Sequence, residues 1–234
     1  MSQKESLHQI FRDLHAQRVI SMKPEQLAIN INQRKTLVET ADRSQFVRPG
    51  HRVRAFDLPE VDGGRVVLKE LLARGPVVLQ FFRFEGCPAC NLALPYYQRN
   101  LVPGLRELGA TFIALSPQVP ERLRAIKVRH SLDYLVASDL DNELAREFGI
   151  LYEFDDASKR QSLANGKTIG EVTGTGTWEL PMPTAVVIGR DGLVKFADVH
   201  PDWLLRTEAE PILAAVRALD PSHRQQPRAA SLEA

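Results

Sequence analysis

Pro76-Val77-Val78-Leu79-Gln80-Phe81-Phe82-Arg83-Phe84-Glu85-Gly86-Cys87-Pro88-Ala89-Cys90 is the stretch that sets the fold of this chain. Up to Phe82 it is apolar apart from Gln80 and rich in β-formers, the pattern of a buried strand. Asn91 to Asn100 then reads as the start of a helix. Pro88 suits the first helical turn, where its missing N–H would have had no partner. Cys87 and Cys90 are the only cysteines in 234 residues. At a strand-to-helix junction the first sulfur meets unpaired N–H groups and the positive end of the macrodipole. Both favour a thiolate and bring the thiol below its free pKa of about 8.5. The second sulfur lies one turn on and can close a disulfide. A redox dithiol is the favoured reading. Its rivals are two inert buried thiols and half a zinc site, but no second Cys-x-x-Cys or His pair supplies the other zinc ligands.

The totals set the limits around this motif. Hydrophobic residues make up 44% and charged residues 25% of the chain, as in a soluble globular protein long enough to bury a sizeable core. Thirty basic against twenty-nine acidic residues leave a formal charge of +1, so no bias points to nucleic acid or a membrane surface as partner. Met1-Ser2-Gln3-Lys4-Glu5 is polar and opens no secretory h-region. No apolar run approaches the roughly 20 residues that span a bilayer. Two cysteines at catalytic rather than framework spacing make the cytoplasm the expected compartment.

Working outward, Leu7, Ile10, Phe11 and Leu14 share one helical face. A second helix is expected from Pro24 through Leu27, Ile31 and Leu37. These form an N-terminal helical extension over residues 1–47, whose apolar stripe must cover the main domain or a second subunit. The main domain is expected over 48–220. It opens with strands at Arg52 to Leu58 and Arg65 to Leu68 around Asp62-Gly63-Gly64, a hairpin signal, followed by a brief helix from Leu68 to Ala73. Beyond the dithiol, strands at Ala110 to Leu115 and Tyr134 to Ala137 alternate with helices at Pro120 to His130 and Asn142 to Phe148. Ser138 and Asp139 are cap candidates for the last of these. Such alternation implies β-α-β crossovers and parallel strands. Periodicity lapses from Gly149 to Met182, which reads as a functional or mobile loop. Gly174-Thr175-Gly176-Thr177 lacks the strand-then-helix context of a phosphate loop. A strand at Thr184 to Ile188, a turn at Arg190-Asp191-Gly192, a partner strand at Leu193 to Val199 and a helix at Ala209 to Leu219 close the domain. Residues 221–234 read as a disordered tail.

This order of elements resembles the thioredoxin fold, an α/β architecture with a central mixed sheet flanked by helices. The nearer resemblance is to AhpC/TSA-type peroxiredoxin-like proteins. It is carried by Phe56-Asp57-Leu58, Arg83 to Cys90, Ala114-Leu115-Ser116-Pro117-Gln118 and Trp178-Glu179-Leu180-Pro181-Met182-Pro183-Thr184. The resemblance implies a thiol-dependent peroxidase acting on hydrogen peroxide or organic hydroperoxides. Cys87 would be the peroxidatic cysteine and Cys90 the resolving one. The resulting disulfide would be recycled by thioredoxin or a low-molecular-weight thiol, with no cofactor or metal, in a possible homodimer. The thioredoxin-fold resemblance implies a cis-proline at Pro183, exposing the backbone of Met182 to an incoming chain, and Arg83 falls where the peroxiredoxin-like subgroup commonly has an arginine ahead of its Cys-Pro-x-Cys. Two rival functions stay open: a thiol–disulfide oxidoreductase acting on protein disulfides, and a redox-sensing module.

The chain departs from the family pattern at the site itself. Gln80 stands at the usual proline position, Phe84 at the usual hydroxyl position, and the distant arginine falls at Pro183. Arg83 stabilises a thiolate if it points inward, and Glu85 opposes one if it does. Trp178 is a candidate shelter for the dithiol. The six histidines show no ligand spacing. Asp198-x-His200-x-Asp202 reads as a strand end and helix cap, and Asp139-x-Asp141-x-Glu143 as helix-start charges rather than a calcium loop.

Overall fold

The computed structural model describes residues 5–166 and 168–220. Its sheet is built on β3 (Val77–Phe81), every residue of which is buried. β3 pairs in parallel with β4 (Thr111–Ser116), and β4 in parallel with β5 (Leu135–Ser138). On its other side β3 pairs antiparallel with β8 (Thr184–Ile188), which pairs antiparallel with β9 (Val194–Val199). The five strands therefore run β5-β4-β3-β8-β9 as a mixed sheet. A hairpin of β1 (Asp57–Pro59) and β2 (Arg65–Val67) precedes it, then α3 (Leu68–Arg74). The first strand is shorter than expected because Arg52 and Val53 run along the β8–β9 turn instead, Val53 donating to Gly192.

Helices cover both faces. α4 (Pro88–Asn100) and α5 (Val102–Glu107) connect β3 to β4, and α6 (Pro120–Arg129) connects β4 to β5. α7 (Glu143–Glu147) is capped by Asp139, whose carboxylate accepts the N–H groups of Leu144 and Ala145 at 2.9 and 3.0 Å. The segment read as a loop is ordered: β6 (Leu151–Glu153) and β7 (Glu179–Pro181) pair antiparallel around α8 (Asp156–Ala164) and α9 (Ile169–Thr173). Pieces of three to nine residues leave too little periodicity to read. Gly170 is required there, since a Cβ would sit 2.5 Å from the backbone of Gly176. α10 (Ala209–Arg217) closes the domain with Ile212, Leu213 and Val216 buried. Residues 221–234, read as a tail, lie outside the described residues.

The N-terminal extension is α1 (Leu7–Ser21) and α2 (Pro24–Thr40). α1 seats Leu7 and Phe11 in the common core, so its stripe covers the main domain. Burying each such side chain contributes roughly 1.5–3 kcal/mol. α2 behaves differently from its expected stripe. Ile31 is exposed, and the one buried residue of the helix is Gln33. A polar face docks through hydrogen bonds: Gln33 donates to Ser158 at 2.8 Å and accepts from the Trp203 indole at 2.9 Å.

Candidate active site

β3 gives way after Phe81 to Phe82-Arg83, the chain turns through Phe84-Glu85-Gly86, and Cys87 becomes the N-cap of α4 with Pro88 in its first turn. The turn is pinned from several sides. Cys87 N–H donates to the Phe84 carbonyl, Ser116 Oγ donates to the Arg83 carbonyl at 3.0 Å, and Glu85 N–H donates to Gln118 Oε1 at 2.8 Å. Asn91 Nδ2 reaches back to the carbonyls of Glu85 and Cys87. Gln118 Nε2 donates onward to the Val172 carbonyl of α9, tying the turn to the 149–182 segment.

Both cysteines are free thiols with almost no exposure, 1% for Cys87 and 0% for Cys90. Burial alone raises a thiol's pKa. For Cys87 the opposite holds. The neighbouring Cys90 thiol as donor, then the charges of Arg83 and Arg206, hold it well below the ordinary value. Cys90 is driven well above its own, first by burial and then by the Cys87 thiolate beside it. The two thiols are thus driven apart, Cys87 downward and Cys90 upward.

Each sulfur has its own guanidinium. Arg83 Nη1 lies 3.8 Å from Cys87 Sγ, and Arg206 Nη2 lies 3.6 Å from Cys90 Sγ. Arg83 points inward and is buried, with its Cζ 4.4 Å from the centroid of Trp203, 5.4 Å from that of Phe84 and 5.8 Å from that of Phe154. Tyr152 also faces it, its phenol pushed up to about 12 by burial. Arg206 is likewise buried and bonds the carbonyls of Trp203 and Leu205. The arginine missing at Pro183 is thus answered by a guanidinium from another part of the chain. Glu85 turns away to pair with Arg129, so its charge does not oppose the thiolate.

The other candidates fall elsewhere. No peptide bond among the described residues is cis, so the expected cis-Pro183 is corrected to trans. The trans isomer is the ordinary X-Pro preference, and local bonds fit it: Pro183 O accepts His200 N–H at 2.9 Å. Nor is the Met182 backbone open to an incoming chain. Its N–H donates to Ile150 O at 2.7 Å, its carbonyl accepts Thr184 Oγ1 at 2.9 Å, and the residue is buried. Trp178 lies tilted against Phe154, centroids 6.0 Å apart, so it covers a ring of the Arg83 cage rather than the sulfurs. Asp198 pairs with His200, while Asp202 pairs with Arg34 and caps Leu204.

Sequence reasoning missed Trp203, Arg206, Tyr152 and Gln33. The one available signal was Trp203 itself, one of two tryptophans, followed by an arginine set in Leu204-Leu205-Arg206.

Known proteins carry the same architecture. Peroxidoxin BcpB of Mycobacterium tuberculosis superposes with a TM-score of 0.57 at 24% identity, covering 74% of this chain and 99% of its own. Peroxiredoxin Q of Xanthomonas campestris superposes at 0.53 and 18% identity, over 70% of this chain and 90% of its own. These likenesses establish a thioredoxin-like fold. In sequence, a Mycobacterium tuberculosis relative carrying a peroxiredoxin name is 29% identical over 101 residues, 43% of this chain and 63% of the relative. The match thus spans less than two thirds of that relative's length. Residues 49–197, well over half the sequence, match the AhpC/TSA family, and the chain belongs to that family.

Proposed function

We propose that this protein is a thiol-dependent peroxidase with Cys87 as peroxidatic and Cys90 as resolving cysteine. The observation that carries the reading is the buried dithiol with a guanidinium at each sulfur, Arg83 Nη1 3.8 Å from Cys87 and Arg206 Nη2 3.6 Å from Cys90, an arrangement that holds the Cys87 thiol below its ordinary value. The Cys87 thiolate attacks one oxygen of a hydroperoxide. The O–O bond breaks, the departing oxygen leaves as water or an alcohol after taking a proton, and Cys87 becomes a sulfenic acid. Cys90 then attacks that sulfur, its proton joins the departing hydroxide as water, and a Cys87–Cys90 disulfide forms. Thioredoxin or a low-molecular-weight thiol reduces the disulfide by two exchange steps. Arg83 stabilises the thiolate and the negative charge that develops on the departing oxygen.

Exchange with protein disulfides is the weaker reading. Sulfurs this deeply covered admit a small peroxide more readily than a polypeptide, and the backbone of Met182 is already bonded. An insulin-reduction assay separates the two. The reading places the enzyme in the cytoplasm and in a homodimer. Val19 and Ile20, 56% and 87% exposed at the end of α1, support a self-contact there that light scattering tests.

The deciding experiment adds one equivalent of peroxide to the reduced protein and follows the thiols by mass spectrometry. A sulfenic acid on Cys87, then an intramolecular disulfide, with peroxide consumption lost in Cys87→Ser, is the expected result. Consumption of hydrogen peroxide and cumene hydroperoxide no faster than in buffer sinks the proposal.

A further inference from the structure

We propose that Gln33 of α2 is a positioning residue for the dithiol: it fixes the edge of Trp203, and the Trp203 ring holds the Arg83 guanidinium at the Cys87 sulfur. The N-terminal helical pair is then a working part of the active site rather than an appendage. The inference rests on the reading of Cys87 as nucleophile.

Three buried residues make the connection. Gln33 is 4% exposed, Trp203 2% and Arg83 6%. The indole N–H of Trp203 donates to Gln33 Oε1 at 2.9 Å, and the Gln33 amide donates to Ser158 Oγ at 2.8 Å, so the amide can turn only by losing both bonds. A buried donor left without its acceptor is costly, which locks the indole in one orientation. The ring then lies 4.4 Å from the Arg83 guanidinium, the closest of the four aromatic contacts of that group. A cation over an aromatic face is held most firmly where water is excluded. The polar partners of Arg83 are few: its Nε is buried without a partner, Nη1 bonds the soft Cys87 sulfur, and the Tyr152 phenol faces the group, so the rings around it carry much of its placement.

Both extension helices contribute further cations around the same ring. Arg18 of α1 and Arg34 of α2 each lie 5.6 Å from the Trp203 centroid. Arg34 is neutralised by Asp202 at 3.2 Å. The titratable and charged groups that face Cys87 are Arg83, Arg206, Arg18, Cys90 and Tyr152. Of the arginines among them, only Arg83 rests on the ring that Gln33 orients and also bonds the Cys87 sulfur.

The test is the pH dependence of Cys87 alkylation by iodoacetamide in the full-length reduced protein, quantified on the Cys87 peptide by mass spectrometry. Gln33→Met keeps the length of the side chain and removes both hydrogen bonds. Its half-maximal pH should rise, with labelling at pH 6 slowed about three- to tenfold and labelling above pH 9 unchanged, since only the thiolate reacts. Gln33→Glu, which keeps an oxygen for the indole, should restore most of the rate. In an Arg83→Met background, Gln33→Met should add nothing. A folded Gln33→Met protein with the parent profile overturns the proposal, as does a shift of full size in the Arg83→Met background. If Gln33→Met does not fold, Trp203→Phe, which keeps a ring and loses the N–H, is read the same way, and an unshifted profile again overturns it. Peroxide consumption by the parent is followed in parallel. Its absence defeats the peroxidase reading alone, because the alkylation profile needs no peroxide.

Discussion

Arg206 donates to the Cys90 sulfur at 3.6 Å, while burial and the Cys87 sulfur next to it push that thiol's pKa up. The guanidinium therefore acts through the pair. Arg83 is in direct contact with the thiolate, and Arg206 adds a second positive charge from behind Cys90.

Arg83→Met should accordingly shift Cys87 upward more than Arg206→Met. An opposite charge within 4–6 Å moves a pKa by roughly 1–3 units, and one unit is about tenfold in thiolate fraction below the pKa. The expected result is a loss of about tenfold or more in peroxide consumption near pH 6 for Arg83→Met. Arg206→Met should lose less. Stopped-flow rates across pH 5–9 make the comparison, and equal losses would show that neither contact is specific to its sulfur.

The Cys90 thiol is the largest of the influences that lower Cys87. Cys90→Ala removes that donor, whereas Cys90→Ser keeps a hydroxyl in its place. Cys87 alkylation in Cys90→Ala should therefore need a higher pH than in Cys90→Ser. Both variants should accumulate the Cys87 sulfenic acid after one equivalent of peroxide, since no resolving thiol remains. A dimedone-labelling time course checks the second expectation, and an alkylation profile in which Ala and Ser coincide refutes the first.

Asp139 gives the stability of the fold a pH dependence far from the sulfurs. Burial pushes its carboxyl up to about 6, despite the amides of Leu144 and Ala145 that favour the anion. An unfolded aspartate titrates near 3.9, so between about pH 4 and 6 the folded state binds more protons than the unfolded one. Stability from this group is full below about pH 4 and is lost as pH rises through 6. Asp139→Asn removes the charge and keeps one acceptor for the cap. It should flatten the fall in stability over pH 4–6 and, at pH 8, stabilise by on the order of 2 kcal/mol. Urea titrations at pH 4, 6 and 8 read this directly, and an unchanged slope in the variant would assign the dependence to other groups.

What was legible in the sequence was local. The apolar run of β3, Pro88 and the Cys-x-x-Cys spacing lie within fifteen residues and read together. Asp139 read as a cap because a capping side chain stays close to the helix that it serves. The partners of the sulfurs were not local. Arg206 and Trp203 arrive from the loop after β9, and Gln33 from the extension, where a glutamine in a helix looks like a solvated face. α5 has no counterpart in the sequence reading, and its six residues hold Pro103 and Gly104, two poor helix formers. Pro103 sits at the helix start, where it does no harm, and Gly104 meets Leu213 of α10, where a Cβ would fall 2.9 Å from a methyl. The Met182-Pro183 bond is trans, where the thioredoxin-fold resemblance implied cis.

Glu208 joins the extension to the dithiol helix and supplies the last prediction. Its carboxylate accepts Ser6 Oγ at 2.9 Å, the N–H groups of Leu7 and His8 at 3.1 and 3.0 Å, and Tyr96 Oη at 2.6 Å. It thus caps α1 from the far end of the chain and ties it to α4, which carries both cysteines. Burial pushes the carboxyl up, but these bonds outweigh it and hold the group below its ordinary value. A depressed acid stabilises above its unfolded pKa of about 4.3, and that contribution is lost as pH falls through the lower folded value. Glu208→Ala should cost about 1–3 kcal/mol near neutral pH, through a lost cap and lost charged hydrogen bonds. It should also loosen α1 first, so brief proteolysis should cut at Arg12 or Arg18 well before the main domain is touched. If cleavage there is no faster than in the parent, the other contacts of α1, Leu7 and Phe11 among them, hold it without the carboxylate.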